Sequence, residues 1–166
     1  MESNLKKNQA LLSDSDFIKE YKVRILELQE QMRKEKQIEM PLVHEFSDGV
    51  YMRTIFMEKD IWVIGKTHKT EHFNIIHTGS CNLMIDGVIS YVKAPYMFVS
   101  GKGVKKVLRI IEDMTWSTVH PINNDDLIKE DGLIDVEKTS KKLEPFLVCD
   151  RLEELKLVET EIRGLL

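Results

Sequence analysis

A chain of 166 residues with 42% hydrophobic side chains can bury one real core, and it has room for one domain plus appendages. Its net charge of −4 argues against a nucleic-acid binder, which presents a basic face. No apolar run approaches the roughly 18 residues of a bilayer span, and MESNLKKNQALLSDSD lacks the apolar stretch of a signal peptide, so no membrane partner is expected and the protein should stay in the cytoplasm where it is made.

Residues 1–40 read as an N-terminal helical arm. Ser13 to Asp16 offer N-cap side chains, and Ile18, Tyr21, Ile25, Leu28 and Met32 follow at steps of three and four, one apolar stripe on an amphipathic helix. Such a stripe packs either on its own domain or on another subunit. Residues 41–122 change character: Pro41 closes the helical region, and short β-rich runs follow. These are VYMRTIFM (50–57), DIWVIG (60–65), HFNIIH (72–77), CNLMI (81–85), VISYV (88–92), YMFVS (96–100), KVLRII (106–111) and TWSTVH (115–120). Asp86-Gly87 is a strong two-residue hairpin signal. About eight short strands with no helix between them predict a mainly β chain folded as a closed barrel or jelly roll. Residues 123–166 read as a polar linker followed by a C-terminal amphipathic helix carrying Leu152, Leu155, Val158 and Ile162. Cys81 and Cys149 stand far apart without metal-type spacing and read as free thiols.

The stretch HKTEH, His68 to His72, fits the H-x-x-E-H pattern of one class of zinc proteases. Its context opposes that chemistry. Gly65 and Gly79 bracket it and β-branched residues surround it, whereas a protease motif sits on a long helix. On a straight strand, residues four apart share a face but lie roughly 13 Å apart. His68 and His72 can share a metal only if the chain bends between them, and the polar Lys69-Thr70-Glu71 permits a bend.

The segment from Gly65 to Gly79 resembles the first motif of the cupins. Gly79 falls on the closing glycine, His72 on the glutamate position, His68 on the second histidine and Lys66 on the first. The chain is also similar to the small cupin-like proteins of tailed bacteriophages and prophages, through His68 to Asn74, Ala94 to Gly101 and Thr118 to Pro121. The likeness covers roughly residues 44–121 and implies a single cupin-like β-barrel, a jelly roll, with helical extensions. It places about Lys106 where the second motif has a histidine. Two of the four ligand positions of the family thus hold lysine, which does not bind a metal when charged.

A reduced ligand set remains: His68, His72 and His120. The first two rest on family position, and the third on the alternation of Trp116, Thr118 and His120 at a strand end. Three neutral imidazoles suit one divalent transition metal, Zn, Fe, Ni or Cu. The plainer alternative is that they hold no metal and only make hydrogen bonds. Lys66, Asn74 and Lys106 are the expected contacts for a small anionic ligand, with Lys102, Lys105 and Arg109 as further cations and Gly101-Lys102-Gly103 as an N–H source. Glu71 points away or orients a histidine from outside the ligand set. His44 and His77 read as structural. Three functions stay in play: a barrel binding a metal or small anion, a metal-dependent enzyme of unknown substrate, and an assembly component that oligomerises or docks on a virion through its helices.

Overall fold

The computed structural model describes residues 14–149 together with Glu154 and Lys156. These fall into two compact units, one holding residues 14–37 with Glu154 and Lys156, the other residues 38–149. In the first, α1 spans Asp14–Met32. Its stripe is buried at Tyr21 and Ile25, where Leu26 joins it, while Leu28 is 40% exposed. Glu154 and Lys156 are helical; the apolar stripe expected around them, Leu152 to Ile162, lies outside the described residues. Among the described residues no helix is long and apolar enough to cross a membrane.

The second unit is mainly β, a jelly-roll-like antiparallel fold. In chain order it comprises β1 (Leu42–Ser47), β2 (Val50–Met57), β3 (Trp62–Ile64), β4 (Thr67–His68), β5 (His72–Ile85), β6 (Val88–Lys93), β7 (Tyr96–Ser100) and β8 (Lys106–Pro121). Short strands β9 (Lys129–Glu130) and β10 (Leu133–Ile134) follow, then helix α2 (Val136–Leu147) and β11 (Val148–Cys149).

The two long strands β5 and β8 pair along most of their length, from Phe73 opposite Val119 to Ile85 opposite Lys106. Each takes two successive partners on its other edge. β8 pairs with β2 near its end and with β3 near its start; β5 pairs first with β7 and then with β6. That division is what curls one sheet around a core. Runs that look like separate strands in the sequence, 72–77 with 81–85 and 106–111 with 115–120, are therefore the halves of two bent strands. The bend in β5 is a set of register shifts between Ile76 and Cys81. Gly79 sits in it at φ +83°, and a Cβ there would stand 2.4 Å from the Asp113 carbonyl oxygen and 2.8 Å from that of Glu112. Only glycine meets both the conformation and the close approach to β8. Asp86 and Gly87, at φ 49° and 80°, form the two-residue link from β5 to β6 that the sequence indicates.

Inward residues of these strands build the core: Met57, Ile76, Cys81, Leu83, Val92, Leu108, Ile110, Met114 and Trp116. Both cysteines are buried, and neither forms a disulfide among the described residues. A second cluster of Tyr51, Leu143, Leu147 and Val148 lies where α2 meets the end of β2. Sequence alone indicates neither β1, β9, β10 and β11 nor α2. Charged and hydroxyl side chains outnumber apolar ones in α2 and Pro145 lies inside it, so its helical signal is weak. Its buried positions, Thr139, Leu143 and Leu147, nevertheless recur every four residues. Asp135 caps it by accepting a hydrogen bond from Lys138 N at 2.9 Å.

Candidate metal centre and cavity

His68, His72 and His120 come from three different strands and meet in one place. His68 ends β4, which is too short to hold itself in place. It is pinned by β11, with Val148 opposite His68, and by Lys69 N donating to Leu147 O at 2.8 Å. The chain then bends through Lys69-Thr70-Glu71, and His72 opens β5. This bend brings the two imidazoles to a centroid separation of 4.0 Å, against the roughly 13 Å of a straight strand. His120, near the end of β8, lies 4.8 Å from the His72 ring and 5.1 Å from the His68 ring. One ring nitrogen from each falls within 4.8 Å of the others, and all three residues are buried.

Hydrogen bonds select the nitrogens left for chemistry. His72 Nδ1–H donates to the Thr70 carbonyl at 2.9 Å, which leaves the Nε2 lone pair pointing into the cluster. Thr70 Oγ1 stands 3.3 Å from His120 Nδ1. His68 Nδ1 is buried with no hydrogen-bond partner among the described residues. Burial, reinforced by neighbouring cations and imidazoles, keeps all three rings neutral. It holds His68 far below the usual imidazole range and lowers His72 to about 4 and His120 to about 3. Neutral nitrogens, one of them an orphaned buried polar atom, fit a divalent transition metal. Metal–nitrogen bonds of about 2.0–2.1 Å ask for somewhat closer nitrogens than these, so the set is near closure rather than closed.

The cations predicted around this site separate in the structure. Lys106 reaches it: its Nζ is 3.3 Å from His72 Nε2, and burial lowers the amine to about 8. Lys66 does not. It is exposed and bonds Glu144 of α2 at 2.5 Å, whereas His68, two residues on, is held in by the pairing of β4 with β11. Arg109 bonds Asp60 at 3.1 Å and lies over Trp62. Lys102 is exposed. Gly103 N already donates to His68 O at 2.9 Å, so the glycine turn orients a histidine instead of offering that N–H to an anion. Glu71 is exposed, and the Thr70 carbonyl does the orienting expected of it. Asn74 is fully buried, but its amide is engaged: its nitrogen donates to Ser100 Oγ at 3.0 Å and its oxygen accepts from Trp116 Nε1 at 3.2 Å. It braces β5, β7 and β8 beneath the histidines.

A cavity of about 410 Å³ opens beside His120, between β1, β2 and α2. Tyr51, His44 and Arg53 form one wall, and Leu147 and Glu144 part of the other. Tyr51 stacks near His120, with ring centroids 6.2 Å apart, and its hydroxyl lies 2.6 Å from His44 Nδ1. Sequence reading overlooks this wall. The usable signal is parity: Tyr51, Arg53, Ile55 and Met57 alternate along β2, and a cation in that series faces inward.

No family model matches this chain, and no curated protein matches it. Among solved structures, it is similar to a cupin-2 domain protein from Shewanella frigidimarina, at 17% identity over 57% of this chain and 92% of that one, with a TM-score of 0.40. It is also similar to a cupin superfamily protein from Desulfitobacterium hafniense (9% identity, 54% and 83% of the chains, TM-score 0.44) and to a cupin domain from Schizosaccharomyces pombe (12%, 54% and 69%, TM-score 0.45). Likenesses of this depth assign no activity.

Proposed function

We propose that this protein is a cupin-like barrel that binds one divalent transition metal through His68, His72 and His120 and holds it next to a small anionic ligand. The supporting observation is the convergence of three buried, neutral imidazoles, with His68 Nδ1 lacking a hydrogen-bond partner among the described residues. When bound, a metal with three histidine ligands supplies an open coordination position and Lewis acidity. The chain's own residues supply the rest. Thr70 fixes the His72 tautomer, Asn74 braces the strands under the site, and Lys106 adds a cation for an anionic ligand. A phage or prophage setting rests only on the sequence resemblance. Elemental analysis of untagged protein tests the metal reading. We expect about one equivalent of metal per chain, and in His72→Ala a loss of affinity exceeding about a hundredfold, since even partners outside the ligand set are worth 10–100-fold. Wild-type protein that takes up none of Zn, Fe, Ni or Cu would overturn it.

A second reading, self-assembly, is favoured by an exposed apolar face. Phe73 pairs with Val99 in register, and Phe73, Val99 and Met97 are 57%, 51% and 67% exposed. Light scattering should find a dimer or larger species, and Phe73→Lys with Val99→Lys should shift it to monomer. A wild-type monomer at high protein concentration would sink this reading.

A further inference from the structure

We propose that Arg53 is the anchor for the carboxylate of an organic ligand that enters the 410 Å³ cavity and extends toward the histidine cluster. This deepens the reading above, on which it rests for the position of the metal but not for the existence of the anion site.

The argument begins with charge. Four ionised side chains line the cavity: Arg53, Glu137, Lys141 and Glu144. Glu137 bonds Lys141 at 2.6 Å, and Glu144 bonds Lys66 at 2.5 Å. Both carboxylates therefore have lysine partners, and Glu144, held below the usual carboxylate range first by Lys66, also feels the charge of Arg53. Arg53 makes no hydrogen bond or ion pair among the described residues, although it is half-buried. A guanidinium carries five N–H donors, so leaving them unbonded in a partly desolvated wall is costly unless a ligand accepts from them.

Its surroundings fit that use. Arg53 lies on β2 between Tyr51 and Ile55, on the inward-facing series, and is paired in register with Thr118 of β8. The Thr118 hydroxyl is itself buried without a hydrogen-bond partner among the described residues. Tyr51, two residues from Arg53, stacks near His120, and Arg53 and His120, the member of the cluster that lines the cavity, both face it. Leu42, Val136, Leu147 and Val148 make much of the remaining lining apolar. One fork-shaped cation, a nearby hydroxyl and an apolar wall match a monocarboxylate on a small hydrophobic body. The fork meets both carboxylate oxygens, and the volume lies within the roughly 300–1,000 Å³ of small-molecule sites.

The test uses 4-fluorobenzoate and its neutral isostere 4-fluorobenzamide, each followed by fluorine NMR line broadening with the full-length protein. Wild-type protein should broaden the benzoate signal, and the benzamide signal much less. Arg53→Met should weaken benzoate binding about tenfold or more, in line with loss of a charged hydrogen-bonding group. Arg53→Lys keeps the charge and the fold but loses the fork, and should fall between. Elemental analysis of the same wild-type samples reads metal uptake separately from benzoate binding. The two readings therefore fail separately. Equal broadening by benzamide, unchanged benzoate binding in both Arg53 variants, or no broadening of millimolar benzoate by wild-type protein would overturn the proposal.

Discussion

Replacing Lys106 with methionine should raise the affinity of the histidine cluster for Zn²⁺ by about a hundredfold or more. In the structure the Lys106 ammonium stands 3.3 Å from His72 Nε2 and donates to the lone pair a metal needs. It is 7% exposed, so water screens it little. Two unit charges about 4 Å apart repel by about 4 kcal/mol at an effective dielectric of 20, and a dication doubles the charge product. Even if most of that is relieved by rotation of the lysine or by loss of its proton, about 2.7 kcal/mol is enough for a hundredfold change. Lys106→His should gain more, because it removes the charge and adds an imidazole at the position where the cupin resemblance has one. Competition against a chromophoric chelator measures both variants. An affinity unchanged in Lys106→Met would mean that the ammonium leaves the cluster freely and is no competitor for the metal. The protein would then be metal-ready as it stands.

Acidification from pH 7 to pH 5 should destabilise the metal-free protein by about 2 kcal/mol for each of His72 and His120. Both are held in the folded state below the ordinary imidazole value of 6.5, at about 4 and 3, chiefly by burial. Between the folded and unfolded values the unfolded chain binds protons that the folded chain refuses, so stability is present above about 6.5 and falls as the pH drops toward 4. At pH 5 the unfolded imidazole is about 1.5 units below its midpoint, worth about 2 kcal/mol at 1.36 kcal/mol per unit. His68 is lowered by the same burial and acts in the same direction. Lys106, at about 8, is charged in both states throughout this window and contributes no slope. Urea midpoints at the two pH values in the presence of a chelator measure the effect, with His72→Gln as the control. That variant should flatten the pH dependence by about one histidine's share. A wild-type midpoint that does not move would show that the imidazoles are solvated and protonated in the folded chain.

Much of the barrel is legible from residue order because a half-buried strand writes its pleat into the sequence. The limits of β2 and β7, the Asp86-Gly87 link and the inward parity of Trp116, Thr118 and His120 are local properties, decided by side-chain alternation and by which residues tolerate positive φ. The resemblance places His68, His72 and Lys106 in motif positions that the fold does bring together. The joining of four runs into β5 and β8 is not local. It depends on Gly79 meeting the backbone of β8 across a bulge, a contact between residues more than thirty positions apart.

The region after residue 122 marks the boundary most clearly. Up to residue 149 its sequence is polar and charged, with Pro145 inside its helix, and it reads as the linker to a later amphipathic helix. In the folded chain α2 closes one side of the cavity, draws Lys66 away from the histidines through Glu144, and delivers β11 to pin His68. Sequence by itself determined most strand segments of the barrel, the Asp86-Gly87 link and the donor atoms available. Tertiary structure alone decided which cations stay with the histidines and which are neutralised elsewhere. Alternation along a strand is a short-range rule, whereas the partner of a charge is whatever the fold brings within a few ångströms of it.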